Sequence, residues 1–334
     1  MAMIRQLSRR VAIGACVVAG VTAVAAARQA APAGAVTGVG NFSHIVSNLD
    51  RSVQFYRDVL GLDVDGAPRL FSGDAAMRVS NALGARALFT RLPVPDSPFG
   101  VELIEYQNIE RRPTRRRFHE PGAAHLTLSV RDFDAALARI KKASAVLGAG
   151  GAPVTVDDGS RVALLEDPDG FFVQLVQAGR PGVQANTSHP AVPASGFELV
   201  VADVDRTARL YSEVLGFSFR SDSTSDRITP LLRAAGVRDG RFARRLAHVP
   251  GTSVSMALVG RAAGDRTASP TRFQDPGTPV LQLLVRDANA VTAAWKRAGG
   301  EIVTTGGAPV SVGALKLVVL RDPDNLMIEL IEGR

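Results

Sequence analysis

The chain contains two copies of one pattern, and this internal repeat constrains the fold more than any other feature. A shift of 155 residues aligns the first half of the 334-residue sequence with the second half. Chance does not produce such matches along a whole chain, so the two halves are expected to share one architecture. The matched segments are Asp50-Arg51 with Asp205-Arg206, Tyr56 with Tyr211, Val59-Leu60-Gly61 with Val214-Leu215-Gly216, Pro121-Gly122 with Pro276-Gly277, and Asp167-Pro168-Asp169 with Asp322-Pro323-Asp324.

Each half divides again into two units, each made of a strand, a helix and several further strands. Alternating, strand-like segments begin near residues 41, 123, 195 and 279, and a helical pattern follows in each unit. Asp50 and Asp132 are predicted N-caps of two of these helices. The Asp-Pro-Asp sequences predict tight turns between the last two strands of a unit. We therefore predict an α+β fold made of four βαβββ units.

The chain resembles the vicinal oxygen chelate superfamily, which includes glyoxalase I, bleomycin-resistance proteins and extradiol dioxygenases. The segments that carry the resemblance are HIVSNLDRSVQFYRDVLGL, AHLTLSVRDFDAALARI, LLEDPDGFFVQLV, FELVVADVDRTARLYSEVLGF and LRDPDNLMIELIE. The resemblance covers essentially everything after residue 38. It implies that two βαβββ units pair into one incomplete barrel, or cup, and that the first and last strands of each unit hold a metal.

Repeat and resemblance together predict two cup domains, an N-terminal one over residues 38–178 and a C-terminal one over residues 196–334. The segment between them contains three prolines and lacks apolar periodicity. We therefore predict that residues 179–195 form a linker.

The N-terminus is predicted to be an export signal. A basic segment with Arg5, Arg9 and Arg10 precedes an uncharged apolar run, and the run ends in Ala25-Ala26-Ala27. These are the parts of a secretory signal peptide over residues 1–27, and an uncleaved N-terminal anchor is the alternative. We expect an exported protein, periplasmic or extracellular, with no stable membrane span after cleavage.

Composition excludes several classes of protein. Aromatic residues make up 5% of the chain, which is too few for a protein that binds single-stranded nucleic acid by base stacking. Removal of residues 1–27 leaves 36 basic and 32 acidic residues, a balance that does not suggest a nucleic-acid partner. Cys16 is the single cysteine, so a disulfide framework and a cysteine zinc site are both excluded. A metal would have to be held by His, Glu, Asp or Gln.

Four polar positions in the first half are the predicted metal ligands. Alternation along a strand places His125, Thr127 and Ser129 on one face, opposite an aliphatic face. The family pattern selects Glu102 on one further strand and Gln174 on another. The implied quartet, one per chain, is His44, Glu102, His125 and Gln174. Such a mixed N/O set suits Zn, Ni, Co, Fe or Mn, although family members commonly have Glu where this chain has Gln174.

The second half lacks this set. The shift of 155 residues replaces His44 by Leu199, Glu102 by Ala257, His125 by Val280 and Gln174 by Glu329. We therefore expect the C-terminal domain to bind no metal.

The resemblance implies a function but leaves the reaction open. We expect a metal-dependent lyase or isomerase of the glyoxalase or epimerase kind, in which Glu102 is the catalytic base for a small substrate with vicinal oxygens. The alternatives are a non-catalytic protein that sequesters a small molecule, and a ring-cleaving dioxygenase. The expected partner is a small molecule, and the chain is expected to be a monomer or a homodimer.

Overall fold

The computed structural model describes residues 36–130, 132–143, 152–155, 161–177, 195–221, 232–237, 242–261 and 269–333. The predicted signal segment and residues 179–194 of the predicted linker lie outside them. The described residues belong to one compact unit. In the described part of the chain, no helix is long and apolar enough to cross a membrane.

The first two units each begin with a strand and a helix. Unit 1 contains β1 (Val36–Ile45), α1 (Leu49–Gln54), β2 (Arg69–Ser72), α2 (Asp74–Val79), β3 (Arg86–Pro93) and β4 (Gly100–Gln107). Unit 2 contains β5 (Ala124–Ser129), α3 (Phe133–Lys142), β6 (Val154–Thr155), β7 (Arg161–Glu166) and β8 (Phe172–Gln177).

The last two units repeat this order. Unit 3 contains β9 (Ser195–Val200), α4 (Val204–Leu210), β10 (Arg220–Ser221), β11 (Phe242–His248) and β12 (Ser255–Arg261). Unit 4 contains β13 (Pro279–Val285), α5 (Ala288–Arg297), β14 (Glu301–Ile302), β15 (Val310–Val312), β16 (Leu315–Arg321) and β17 (Met327–Gly333). The predicted α+β fold with four βαβββ units is confirmed.

Side-chain caps fix the first residues of α3 and α1. Asp132 caps α3 as predicted, because its carboxylate accepts the backbone N–H of Ala135. The N-cap of α1 is Asn48, not Asp50, because the Asn48 side chain accepts the backbone N–H of Arg51 and Asp50 lies in the first turn. The helices α1 and α4 both continue into a π-helical turn, at Phe55–Val59 and Tyr211–Leu215.

The units pair across the two halves of the sequence, which corrects the expected pairing within each half. Sheet A joins units 1 and 4 in the order β14-β16-β17-β13-β1-β4-β3-β2, with β15 beside β16. Sheet B joins units 2 and 3 in the order β10-β11-β12-β9-β5-β8-β7-β6. The four first strands have similar apolar alternation, so each presents an edge that any other could pair with. The repeat therefore predicts the units but not their partners.

One face of each sheet packs into a shared apolar core with the helices. Phe42 of β1 stacks on Phe197 of β9 at a centroid distance of 5.4 Å, and both side chains are buried. The opposite faces are the two cups. Cup A is the face of sheet A that carries Ser43, Glu102, Gln282 and Glu329; cup B is the face of sheet B that carries His125, Gln174 and Glu198.

On the core side, each Asp-Pro-Asp turn accepts a hydrogen bond from a tyrosine in the other unit of the same half. Tyr56 donates its hydroxyl hydrogen to Asp167, and Tyr211 donates to Asp322 at the repeat position. The two turns differ in one neighbour. His44 Nδ1 lies 2.9 Å from Asp167 Oδ2, and both side chains are fully buried, whereas Leu199 stands at the position that corresponds to His44. Burial, together with the charge of Asp324, raises the pKa of Asp322.

We predict that His44→Leu removes one of the partners of Asp167 and destabilises the protein by about 3 kcal/mol, as expected when one member of a buried pair is lost. Denaturant unfolding at neutral pH measures this loss, with the exposed His248→Leu as the matched control. A loss no larger than that of the control would contradict the role given to His44.

Candidate functional site

Cup A is built where unit 1 meets unit 4. Register places Ser43 of β1 beside Glu102 of β4, and Gln282 of β13 beside Glu329 of β17. Strands β1 and β13 are antiparallel neighbours, which brings the two pairs together. Glu102 and Gln282 are buried, and Glu329 is partly buried. The cup therefore contains two carboxylates contributed by different halves of the chain.

A chain of hydrogen bonds orients these groups. Arg91 Nε donates to Asn41 Oδ1 at 2.8 Å, and Asn41 donates through its backbone N–H and its side-chain amide to Gln282 Oε1, both at 3.0 Å. Because Gln282 Oε1 accepts from Asn41, the amide nitrogen must face the other way. It donates to Glu102 Oε2 at 2.7 Å and to Glu329 Oε2 at 2.9 Å. One amide group thus links the two carboxylates.

The surroundings of the two carboxylates push their pKa values upward to different degrees. Burial, together with the charge of Glu102, raises the pKa of Glu329 to about 7. Burial also raises the pKa of Glu102, but Ser43, Gln282 and the charges of Arg69 and Arg91 oppose that rise. Ser43 donates to Glu102 at 2.8 Å. At slightly acid pH the pair therefore carries about one proton, which is held mainly by Glu329.

The inner end of cup A is closed by packing. Helix α2 contributes Ala76, Met77 and Val79 to an apolar cluster that includes Ile45 and Tyr106. Thr304 of unit 4 donates to the carbonyl oxygen of Val79 at 2.8 Å, which holds α2 over the sheet. A ligand would therefore reach the carboxylates from the other end of the cup.

The predicted quartet is not brought together. His44 and Glu102 lie in sheet A but on opposite faces, because His44 follows Ser43 in β1 and Ser43 is the residue that contacts Glu102. His125 and Gln174 lie in sheet B, on β5 and β8. The prediction assumed that units 1 and 2 share a cup, and the observed pairing separates their residues.

Cup B contains its own polar cluster. His125 Nε2 donates to the carbonyl oxygen of Phe118 at 2.8 Å, so its Nδ1 points toward Gln174 and Glu198. Glu198 accepts from Gln174 at 2.9 Å and from Arg244 at 2.6 Å. Although burial raises the pKa of Glu198, the charge of Arg244 and the contacts with His125 and Gln174 lower it to about 2. Glu198 is therefore a fixed anion held by an arginine.

Several of these residues were not predicted from the sequence, namely Asn41, Arg91, Glu198, Arg244 and Gln282. A usable signal was present for two of them. Gln282 is the single polar residue in the apolar strand PVLQLLV, and Glu198 is the single charged residue in GFELVV. A polar side chain inside such a run costs free energy unless it is hydrogen-bonded. A lone polar residue in a buried strand therefore indicates a partner on a neighbouring strand.

The donor sets of the two cups do not fit the divalent metal that the superfamily commonly uses. In cup A the amide NH₂ of Gln282 lies between the two carboxylates, where a shared cation would bind. In cup B the guanidinium of Arg244 already pairs with Glu198. Among the residues that the structure describes, no group of three or more His, Cys, Asp or Glu side chains could hold a metal ion. The predicted metal site is therefore not supported by these side chains.

Two curved sheets of paired βαβββ units, each with a polar cluster on its cup face, define the architecture of this protein. A sequence profile of the glyoxalase/bleomycin resistance protein/dioxygenase superfamily matches residues 38–175 and again residues 194–330. The chain belongs to this superfamily, as the resemblance implied. No curated protein sequence is significantly similar to it.

Solved structures share the fold over nearly the whole chain. Glyoxalase I from Zea mays is 18% identical with a TM-score of 0.57, covering 90% of this chain and 92% of its own. A single-site variant of that maize enzyme gives a TM-score of 0.60 at the same identity, with 90% and 94% covered. A putative dioxygenase from Bacillus subtilis is 13% identical with a TM-score of 0.54, with 90% and 86% covered. At these identities the likeness shows the fold alone.

We predict that Glu329→Gln stabilises the protein as the pH rises from about 4.5 to above 7. The folded-state pKa of Glu329 is raised, so the wild-type protein loses stability over this window as the buried group ionises. The gain should reach about 3 kcal/mol, since one pKa unit corresponds to about 1.4 kcal/mol. Urea unfolding at several pH values measures it. Glu332→Gln is the control on the same strand, because the pKa of Glu332 is lowered; a similar gain in both variants would contradict the assignment.

Proposed function

We propose that the chain is an isomerase or lyase that moves a proton on a small carbonyl compound bound in cup A. The single observation that supports this proposal is the amide of Gln282 donating to both Glu102 and Glu329. Two buried carboxylates, of which Glu329 holds a proton at slightly acid pH, supply a base and an acid side by side. This is the arrangement that enolisation requires.

The roles follow from the electrostatics. Glu102 is the base, because hydrogen bonds from Ser43 and Gln282 and the charges of Arg69 and Arg91 favour its ionised form. Glu329 is the acid, because its pKa of about 7 keeps it largely protonated at slightly acid pH. The C–H bond beside the carbonyl breaks and its proton passes to Glu102. The electron pair forms the carbon–carbon double bond, and the carbonyl oxygen takes the proton of Glu329.

This proposal keeps the predicted base and drops the predicted metal. The proton transfer needs only the two carboxylates, and the donor sets described above do not fit a divalent ion. The dioxygenase alternative lacks the pair of histidines that the sequence analysis assigned to it. A site for iron on two histidines and a carboxylate would need His44 and His125 together, and they lie in different sheets.

Cup B favours a second candidate function, the binding of a small molecule without turnover. Its carboxylate, Glu198, has a pKa of about 2 and is paired with Arg244. Such a group is a poor proton carrier at neutral pH. It can instead orient a polar ligand, as a binding protein requires. Export stays part of the proposal, supported by the basic and apolar segments of residues 1–27.

We predict that the purified protein exchanges the C–H hydrogen beside the carbonyl of small 2-hydroxy aldehydes and ketones for deuterium in D₂O. Proton NMR with glycolaldehyde, lactaldehyde and dihydroxyacetone follows this exchange. Glu102→Gln should slow it about 100-fold or more, the usual contribution of a general base. Glu198→Gln in cup B is the matched control and should leave it unchanged, and a chelator should also leave it unchanged.

Two results would count against the proposal. Exchange that survives in Glu102→Gln would remove the base from cup A. Exchange that is lost on chelation and restored by a divalent ion would show that the carboxylate pair does not work alone. Absence of exchange with every probe, together with tight binding, would favour the second candidate.

A further inference from the structure

The cup face of sheet A carries arginines beside its two carboxylates. Its charged side chains near the site are Arg69, Arg91, Glu102 and Glu329, and Arg321 on β16 is paired with Glu301. Arg69 lies over the Phe89 ring at 4.8 Å. Neither Arg69 nor Arg91 forms an ion pair with a described residue. When Glu329 holds its proton, the two arginines face one ionised carboxylate, so the site has a surplus of about one positive charge.

Of the two arginines, Arg91 is the one positioned to bind an anionic group of a ligand. It is the direct cross-strand partner of Glu102, so the two side chains share the cup face. Its Nε donates to Asn41 Oδ1, which fixes the plane of the guanidinium. No hydrogen bond joins its two terminal nitrogens to a described residue. Two parallel N–H donors in a fixed plane match the two oxygens of a carboxylate.

An aliphatic wall lies on the other side of the carboxylates. Leu284 follows Gln282 by two residues on β13 and lies beside Ile331 of β17 on the same face. Leu315 of β16 shares this face. Leu284 is 38% exposed and Leu315 is 41% exposed, which is unusual for large apolar side chains in the described structure. Gly38 and Gly40 of β1 stand opposite, and added Cβ atoms would lie 3.1 Å from Leu284 and 3.0 Å from Gln282. The glycines therefore leave room on this face for the side chains of Leu284 and Gln282.

We infer that cup A takes a small 2-oxo carboxylic acid with a branched aliphatic substituent. Arg91 binds the carboxylate, Glu102 faces the C–H beside the ketone, and the substituent packs on Leu284, Ile331 and Leu315. This inference rests on the proposed function and names the substrate class of that same site. The C3–H bond breaks, its proton passes to Glu102 and its electron pair forms the C2–C3 double bond. The ketone oxygen takes the proton of Glu329, and the product is the enol, with no other reactant.

Three probes separate the two recognition elements. 4-Methyl-2-oxopentanoate has both the carboxylate and the branched substituent, pyruvate has only the carboxylate, and 4-methylpentan-2-one has only the substituent. All three carry exchangeable C–H hydrogens beside a ketone. Deuterium exchange by NMR gives the rate and apparent KM for each probe, and isothermal titration gives the Kd. We expect the first probe, the branched acid, to have a KM at least tenfold below those of the other two.

Arg91→Gln should raise the KM for the branched acid at least tenfold more than it raises the KM for the neutral ketone. Arg86→Gln is the matched control, because Arg86 lies on the opposite face of the same strand and contacts Gln107. Leu284→Asn should remove the preference for the branched acid over pyruvate. The comparison of the three probes on the wild-type protein tests the inference even if the Arg91 variant does not fold.

The outcomes distinguish this inference from the proposed function. Equal KM values for the acid and the neutral ketone, with exchange of both, would overturn the substrate class and leave the proton transfer standing. Tight, Arg91-dependent binding of the acid without exchange would support the substrate class and overturn the proton transfer. No binding of any of the three probes would overturn the inference.

Discussion

The antiparallel pairing of β1 with β13 decides which side chains of this protein can meet. It joins the first unit to the fourth and leaves the second to pair with the third. Glu102 comes to lie beside Gln282 and Glu329, although the sequence separates them by 180 residues or more. The same pairing sends His125 and Gln174 to the other sheet. Every property of the site described above follows from this strand contact.

The pairing also explains why two carboxylates can be buried together. Two ionised glutamates at hydrogen-bonding distance from one amide would repel each other strongly in a partly dry site. Gln282 satisfies an oxygen of each, and a shared proton removes most of the repulsion. Asn41 and Arg91 hold the amide in the one orientation that permits this. In cup B the buried carboxylate of Glu198 is stabilised in another way, because the positive charge of Arg244 keeps it ionised.

Much of the fold was predictable from the sequence, because the patterns that define strands, helices and turns involve residues close together in the chain. Alternation, N-caps such as Asp132 and the Asp-Pro-Asp turns act within a few residues, and each pattern occurs in both halves of the repeat. Glu102, which the family pattern selects, lies on the cup face beside Ser43. The partner of each unit could not be predicted, since four similar first strands present similar edges. For that reason His44 was placed on the wrong face and grouped with residues of the other sheet.

The most direct test of the shared proton is a carbon-13 NMR titration of the glutamate side-chain carboxyls between about pH 3 and pH 9, in the wild-type protein and in Glu329→Gln. We expect one carboxyl that titrates at a pH of about 7 and disappears in the variant. The resonance of Glu102 should shift in the same pH range, because the two groups share one proton. A wild-type protein in which every glutamate titrates below about pH 5 would contradict the shared proton and the acid–base role built on it.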